Sequence, residues 1–402
     1  MTRARPAARR AIRRIGAVLA LLALSPIALW IAIQRIPWLG PLCADTARSL
    51  LGPAVVGRLE DIAYGIDDWW TRRWRASDAP QAYWDVPAPA ASPALSATGS
   101  PSASSAVPPA MLPAFHPVDP GPLHHAVSAK GDGVWVPIVD PVHPDRAASM
   151  FKTLLHPDID RAWCTVAIVA VDLRRSRLHI VPGRQEPKAT LPEAASIDRP
   201  GLIPAQDHPD LLAAFNGGFK TIHGTLGMAV GGVTLLPPQK WACTVAAYEH
   251  GALAIRTWTD LADTRAHMLW WRQTPACLVE LGTLGQGVAS EGNINWGMSV
   301  DGNTIIRRSA IGLSRDANTL YIGMGHATSA ATLAEAMRHV GAWDVAQLDV
   351  NAPYPKLLLF HARSPGSVDL QAEPLAPWMA YEPDEYVRRP SMRDFFYLTR
   401  VD

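Results

Sequence analysis

The pattern of apolar and polar positions divides the chain into a long N-terminal prelude and a folded part that begins near residue 126. Short apolar runs typical of strands dominate the folded part. Thr165–Asp172 is one continuous apolar run, which indicates a strand buried on both faces. Between Ser329, which fits an N-cap, and Gly341, which fits a stop, apolar residues recur at helical spacing and predict a helix over 332–340. The pattern predicts an α+β fold, with a mixed, largely antiparallel sheet and packed helices.

The first 33 residues have the pattern of a membrane anchor. Residues 1–14 carry six arginines and no acidic residue, and residues 15–33 carry no charge. In a helix this uncharged stretch reaches roughly 28 Å, close to the thickness of the hydrocarbon layer. A cleaved signal peptide is the alternative, but the stretch exceeds the ~7–15 apolar residues of such peptides and no small-x-small cleavage site follows it. We therefore expect a cytoplasmic tail over 1–14 and one transmembrane helix over 15–33 in the inner (plasma) membrane.

A juxtamembrane segment over residues 34–76 follows, and it contains a second predicted helix over 54–75. In this helix apolar residues recur at three- and four-residue spacing among charged ones. Its end carries Trp69, Trp70 and several arginines, a composition that suits a membrane interface. Packing of the same apolar face on the folded domain is an equally good interpretation.

Residues 77–125 are rich in Pro, Ala and Ser, and such a stretch buries too little apolar surface to offset the entropy of ordering. It is expected to be a disordered linker, followed by one folded domain over 126–402 on the periplasmic or extracytoplasmic side. The alanine- and arginine-rich usage suggests a bacterium. The architecture is therefore anchor, stalk and domain.

Charge and cysteine content exclude several classes of protein. The chain has 37 basic and 36 acidic residues, a net charge of +1, so no nucleic-acid partner is expected. Its four cysteines are too few for a disulfide scaffold and show no CxxC spacing, so a structural zinc site is not expected. A disulfide between Cys243 and Cys277 would be compatible with an oxidising periplasm.

Polar residues follow several strands of the folded part, and strand ends are where sites usually form. The glycines of Asn216-Gly217-Gly218 can let a ligand approach backbone N–H groups while the Asn amide binds a sugar or phosphate oxygen, although a tight turn alone is the simpler interpretation. Arg308, with Ser309 beside it, can clamp a phosphate with two parallel hydrogen bonds. The usual role of such an arginine is a solvated rim.

Two further segments carry titratable groups. An imidazole at His326, in the loop before the predicted helix, can move a proton, although a capping or core histidine is the alternative. Asp349 directly follows a buried strand and suits general acid–base catalysis or cation binding, or merely a turn cap. Asn351 lies two positions later. Since no tight His/Cys or acidic cluster is evident, the residues themselves predict no cofactor.

Taken together, the order of these segments resembles the phosphodiester glycosidase domain family, of the N-acetylglucosamine-1-phosphodiester alpha-N-acetylglucosaminidase type. The resemblance extends from about Ala148 to the end of the chain. Residues 216–219 match its Asn-Gly-Gly turn, residues 308–312 match its Arg-Thr-Ala-Ile-Gly, and Asp349 matches the Asp of its Leu-Asp-Gly-Gly-Gly-Ser. The family implies a hydrolase that splits the bond between a sugar's anomeric carbon and a phosphodiester oxygen.

The resemblance also implies roles for individual residues. Asn216 and Asp349 are candidate catalytic residues, with the Asp binding sugar hydroxyls or transferring a proton. Arg308, Ser309 and the N–H groups of Gly217 and Gly218 would bind the substrate phosphate. Any divalent cation would come from family analogy only.

Two segments depart from the family pattern, and both departures put catalysis in question. Val350–Pro355 replace the glycine run after the Asp, and Gly325–Ala327 replace an Asp-Gly-Arg. His326, as a third catalytic candidate, and Asn351, as a substrate-binding one, would compensate.

Two functional hypotheses remain open at this point, beside the weaker one of a purely structural envelope protein in which Asn216, Arg308, His326 and Asp349 do not converge. The first is a membrane-anchored extracytoplasmic hydrolase acting on a sugar phosphate or polysaccharide of the cell envelope. The alternative is a catalytically inactive carbohydrate-binding envelope protein of the same fold. Both require that distant segments bring an amide, a guanidinium and a carboxylate together.

Overall fold

The computed structural model describes residues 52–87, 113–285, 303–350, 353–364 and 369–401, with the single positions 43, 46, 47, 50, 288 and 367. The transmembrane helix expected over 15–33 and the candidate residue Asn351 lie outside this part of the chain. Within it, no helix combines the length and the apolar character needed to cross a bilayer. The chain divides into two compact units, residues 1–60 and 61–402, and every strand given below belongs to the second.

The described residues form a sheet-rich fold with few helices. The α-helices are α1 (Pro53–Arg75), α2 (Trp258–Leu261) and α3 (Ala330–His339). The strands are β1 (Val136–Pro137), β2 (Met150–Leu155), β3 (Thr165–Asp172), β4 (Ser176–Val181), β5 (Leu211–Asn216), β6 (Met228–Val230), β7 (Val233–Leu236), β8 (Cys243–Tyr248), β9 (Leu253–Thr257), β10 (Met268–Thr274), β11 (Val279–Glu280), β12 (Thr283–Leu284), β13 (Ile306–Leu313), β14 (Thr319–Thr328), β15 (Asp344–Gln347), β16 (Leu357–Ala362), β17 (Leu370–Pro374) and β18 (Phe395–Arg400).

These strands form three sheets. The first has the order β1-β2-β3-β14-β13-β15-β11-β12, the second β7-β6-β10-β8-β9 and the third β17-β16-β5-β18-β4. Each pairing between these strands is antiparallel. The expected mixed sheet is therefore found as antiparallel sheets in the described residues.

Strand β3 shows how the layers are arranged. It spans the predicted residues and is buried along its whole length. Its alternate side chains enter two cores, since successive residues of a strand point to opposite faces. Ile168 belongs to the core that contains Leu333 of α3, whereas Val169 belongs to the core that contains Phe215 of the third sheet and Trp270 of the second. The first sheet is thus a middle layer between α3 and the other two sheets.

Helix α3 confirms the predicted signals at both of its ends. The hydroxyl of Ser329 accepts a hydrogen bond from the N–H of Thr332 at 3.0 Å, which is the geometry of an N-cap. Gly341 follows the helix with a φ of 100°, a left-handed conformation that glycine adopts without steric cost. The helix therefore connects β14, which carries His326, to β15, which ends two positions before Asp349.

Both described ends of the expected linker over 77–125 differ from the expectation, because they pack on the folded domain. Tyr83 and Trp84 lie against the core that contains Val169, and the Tyr83 hydroxyl is 2.5 Å from the hydroxyl of Thr165. At the other end, the carboxylate of Asp119 accepts a hydrogen bond from the N–H of Trp135 at 2.7 Å. Aromatic residues at these ends supply the apolar surface that the Pro/Ala/Ser-rich stretch lacks.

The structure decides the pairing of Cys243 and Cys277 that the sequence left open. A disulfide joins Cys243 in β8 to Cys277, which follows β10. Cys164 is a buried free thiol, and burial raises its pKa well above the ordinary value. It is therefore an inert core residue rather than a nucleophile.

Candidate functional site

Strand β5 ends at Asn216 and passes into the glycine turn that the sequence singled out. The N–H of Gly217 donates to the backbone carbonyl of Asp394 at 3.0 Å, and the N–H of Gly218 donates to its carboxylate at 2.9 Å. A Cβ on Gly217 would lie 2.4 Å from that carboxylate, so only glycine allows the approach. The two N–H groups expected to receive a phosphate oxygen are therefore occupied by Asp394.

Three of the predicted residues meet beside this turn. The amide of Asn216 donates to the hydroxyl of Ser309 at 2.8 Å, and it also lies 3.4 Å from the backbone carbonyl of Asp349. The Ser309 hydroxyl donates to the same carbonyl at 2.9 Å. The N–H of Asp349 in turn donates to the carbonyl of Gly217 at 3.0 Å. The structure thus brings together the segments around residues 216, 309 and 349.

The carboxylate of Asp349 is ion-paired with the guanidinium of Arg393. Asp349 is 1% exposed and Arg393 is 5% exposed, so the pair is shielded from water. The guanidinium also stacks on the ring of Tyr354 at 3.4 Å. Its Nε has no hydrogen-bond partner among the described residues. Arg393, which was not among the predicted site residues, is therefore the cation paired with the carboxylate of Asp349.

A second buried ion pair lies beneath the glycine turn. The Nε of Arg272 in β10 donates to the carboxylate of Asp394 at 2.9 Å, and neither side chain is more than 1% exposed. Arg272 also donates to the carbonyls of Phe219 and Leu226, at 2.6 and 2.8 Å. These bonds compensate the buried charge and tie the second sheet to the third. We define the strand-end cluster by its members: Arg272, Asn216, Ser309, Asp349, Arg393 and Asp394.

Arg308 was expected beside Ser309, but the described hydrogen bonds of its guanidinium go to residues outside the strand-end cluster. Since successive residues of β13 point to opposite faces, Arg308 must leave the strand on the side away from Ser309. Its guanidinium donates to the carbonyls of Thr304 and Thr328, at 3.0 and 3.2 Å. It also donates to the amide oxygen of Gln347 at 3.2 Å. Arg393 is the cation whose ion pair with Asp349 the described residues show.

His326 lies in a different group of side chains, near the end of β14. Its ring stacks on Trp378 with centroids 5.6 Å apart, and the guanidinium of Arg307 lies 5.2 Å from the same indole. Burial, helped by the charges of Arg307 and Arg75, lowers the pKa of His326 to about 4. The imidazole is therefore neutral near pH 7, where it has no proton to donate as an acid. No described hydrogen bond joins it to the strand-end cluster.

A cavity of about 930 Å³ lies at the opposite end of β5. Its walls include Leu211, at the first position of that strand, together with His143, His208 and His361. Leu211 and Asn216 lie five positions apart along this strand, a span of roughly 17 Å. The cavity is therefore separate from the strand-end cluster. In the part of the chain described, no three His, Cys, Asp or Glu side chains come together to hold a metal.

Sequence reasoning missed Arg272, Arg393 and Asp394, although the chain contains a signal for one of them. Arg272 lies inside the run Trp-Trp-Arg-Gln-Thr, and an arginine buried in a strand requires a counter-charge. That rule predicts an acidic partner without saying where in the sequence it lies. Arg393 and Asp394 directly precede the aromatic strand β18 and match no motif.

No family model matches the chain. No curated protein matches it either. One solved structure with distant likeness is the catalytic domain of zebrafish N-acetylglucosamine-1-phosphodiester alpha-N-acetylglucosaminidase, auto-inhibited by its pro-peptide. It has a TM-score of 0.39 and 14% identity, over 67% of this chain and 88% of that one. A hypothetical protein from Synechocystis has a TM-score of 0.39 and 10% identity, over 62% of this chain and 64% of that one. At such low values neither match carries an argument about the site.

Proposed function

We propose that the chain is a membrane-anchored extracytoplasmic hydrolase of sugar phosphodiester linkages. The observation that supports this most is the meeting of Asn216, Ser309 and Asp349 in the strand-end cluster. These residues come from the three segments whose order resembles the phosphodiester glycosidase motifs. The motif resemblance supplies the reaction class, and the buried carboxylate and guanidinium supply groups suited to it.

The proposed reaction adds water to the anomeric carbon of the sugar. The water oxygen bonds to this carbon while the bond from the carbon to the phosphodiester oxygen breaks, and its electron pair leaves with the phosphate. Asp349 accepts the proton that the water loses, as a general base. The products are a free sugar and a phosphate monoester, whose charge the guanidinium of Arg393 stabilises with paired hydrogen bonds.

Arg393 fits the phosphate-binding role better than Arg308, the candidate expected from the motif. Arg393 is ion-paired with the carboxylate that would act on the substrate, whereas the described hydrogen bonds of Arg308 go to Thr304, Thr328 and Gln347. A substrate phosphate that replaced Asp349 as the partner of Arg393 would also free the carboxylate to accept a proton. Phosphate binding and activation of the base would then be one event.

The alternative, a catalytically inactive carbohydrate-binding protein of the same fold, is also supported by a specific observation. The Asn216 amide and the Ser309 hydroxyl are used in internal hydrogen bonds, and Asp349 is almost wholly buried. Buried polar networks of this kind also occur where their role is to specify a fold. The two functions therefore have to be separated by turnover.

The test is release of free sugar from a panel of sugar-1-phosphodiesters by the full chain, with Asp349→Asn as the variant. We expect the variant to lose about 10²–10⁴-fold in rate, the range for removal of a general base. Asp172→Asn is the matched control, because Asp172 is equally buried and is ion-paired with Arg174 and Arg175 at the far end of β3. Rates are compared per folded molecule, measured by circular dichroism.

Two outcomes would contradict the hydrolase. If wild type releases no sugar from any member of the panel yet binds glycan, the inactive binding protein is the better description. If Asp349→Asn and Asp172→Asn retain equal rates, Asp349 is not the base. The choice between the arginines is tested in the same assay, where Arg393→Lys should raise KM and Arg308→Lys should leave it unchanged in the folded fraction.

A further inference from the structure

Helix α1 is docked on the domain by its polar side. The carboxylate of Asp61 accepts a hydrogen bond from the hydroxyl of Thr304 at 2.8 Å. Further along, Arg161 donates two parallel hydrogen bonds to Asp68, at 2.7 and 2.8 Å. In the last turn, the guanidinium of Arg75 lies 5.2 Å from the ring of Trp163. Charged residues spaced along one stripe of the helix therefore make its contacts with the domain.

The opposite side of the same helix is apolar and faces away from the domain. At about 100° per residue, this stripe lies roughly half a turn from the docked one. Its side chains are 56–68% exposed, which excludes packing of this face on the folded domain, one of the two interpretations that the sequence left open. We call this stripe the outer face of α1 and define it by Ile62, Ile66, Trp69, Trp70 and Trp74.

An amphipathic helix on a globular domain normally turns its apolar stripe inward. Here the arrangement is reversed, and a contiguous exposed patch with three tryptophans is a mark of an interaction surface. Trp69, Trp70 and Trp74 also contact one another, with neighbouring ring centroids 6.3 and 5.7 Å apart. The patch is thus continuous rather than a set of isolated side chains.

We propose that the outer face of α1 lies in the surface of a phospholipid bilayer. Tryptophan is enriched where hydrocarbon meets head groups, because its ring is apolar and its N–H is polar. The uncharged stretch over 15–33, which has the length to span a bilayer, ends only 29 positions before Ile62. Partial insertion of the face would bury its apolar area while the docked stripe stays with the domain.

Arg73 distinguishes the bilayer from a second copy of this chain. By helical spacing it lies within the outer face, between the positions of Trp69 and Trp70, and it is exposed. A helix–helix seam between two such faces, whose defining residues are all apolar, would bury this guanidinium at a high cost in free energy. At a bilayer surface the long side chain reaches lipid phosphates while its stem stays apolar.

The test places a nitroxide spin label on the outer face of the full chain in vesicles of phosphatidylcholine and phosphatidylglycerol. The label is attached at Trp70→Cys in a Cys43→Ser background. Cys164 is buried, with a raised thiol pKa, and does not compete for the reagent. Ala195→Cys is the matched control, since Ala195 is exposed on the domain surface and has no described side-chain contact. Relaxation by molecular oxygen and by a water-soluble nickel chelate is measured at both positions.

A label in the bilayer surface should be more accessible to oxygen and at least several-fold less accessible to nickel than the label at Ala195→Cys. Equal access to nickel at the two positions would overturn the proposal. Protection from both reagents would assign the face to a segment of this chain or another protein, and would also overturn it. Spin–spin broadening that disappears on dilution with unlabelled chain would assign it to a second copy.

Discussion

The strand-end cluster and the outer face of α1 reverse the usual distribution of polarity in opposite ways. The cluster buries two arginines and two aspartates, whereas the outer face exposes three tryptophans and two isoleucines. In the cluster each charge is matched by a counter-charge within the chain. The outer face is left exposed by the described residues of the domain. The cluster should therefore matter strongly for folding, and the outer face should matter almost solely for what the domain binds.

The largest effect is expected from Asp394→Asn. This change leaves the guanidinium of Arg272 buried without a counter-charge, so we expect a loss of about 3–5 kcal/mol in the free energy of unfolding. Urea denaturation measures it. Asp369→Asn is the control, because Asp369 forms an exposed ion pair with Arg388 and such pairs contribute about 0–1 kcal/mol. Equal losses in the two variants would mean that the buried ion pair contributes no more to the free energy of unfolding than the exposed one.

The next effect depends on pH and concerns His326. Its pKa is about 4 in the folded chain against an ordinary value of 6.5, so between these values the unfolded chain binds a proton that the folded chain does not. The free energy of unfolding should therefore fall as the pH is lowered from about 6.5 to about 4. His326→Gln should fall less steeply over this range in urea titrations. Parallel curves for wild type and variant would contradict the lowered pKa.

A smaller and favourable effect is expected from Ala327→Gly, next to His326. Ala327 has a φ of 54°, a left-handed conformation that costs a residue with a Cβ roughly 1–2 kcal/mol. Glycine removes this strain at some cost in chain entropy, so we expect a gain of about 1 kcal/mol in thermal or urea denaturation. Gly217→Ala, at a close approach to Asp394, is the opposite control and should destabilise the fold. A loss of stability on Ala327→Gly would be inconsistent with strain at this position.

The smallest effect is expected on the outer face itself. Trp70→Ser removes an exposed side chain, so the free energy of unfolding should change by less than about 0.5 kcal/mol. Trp271 is the matched buried residue at 2% exposure, and Trp271→Ser should cost about 3–5 kcal/mol. A large loss for Trp70→Ser would show that the face supports the domain and would weaken the contrast with the cluster.

Elements that depend on local pattern were predictable from the sequence. The apolar run of β3, the cap at Ser329 and the stop at Gly341 each depend on neighbouring residues, and each lies where it was predicted. The helix over 54–75 was also predicted within one residue, but the direction of its apolar face was not. That direction depends on Asp68 meeting Arg161, a contact between residues 93 positions apart.

Prediction of the candidate site was limited in the same way, because its contacts join residues far apart in the sequence. Its motif residues Asn216, Ser309 and Asp349 were chosen by resemblance, and the structure brings them together while their chemical roles stay proposals. Strand alternation alone predicts that Arg308 and Ser309 point to opposite faces of β13. The motif resemblance instead gave the two residues one shared role. Arg393 and Asp394 could not be predicted as site residues, because nothing in their local sequence indicates that β18 pairs with β5.

The position of β18 has a consequence for how the protein is made. This strand pairs with β5 on one side and β4 on the other, and Arg393 and Asp394 directly precede it. During translation the glycine turn after Asn216 emerges from the ribosome well over a hundred residues before its partner Asp394. A nascent chain halted before residue 393 would therefore contain every motif residue of the site and still be unable to assemble it.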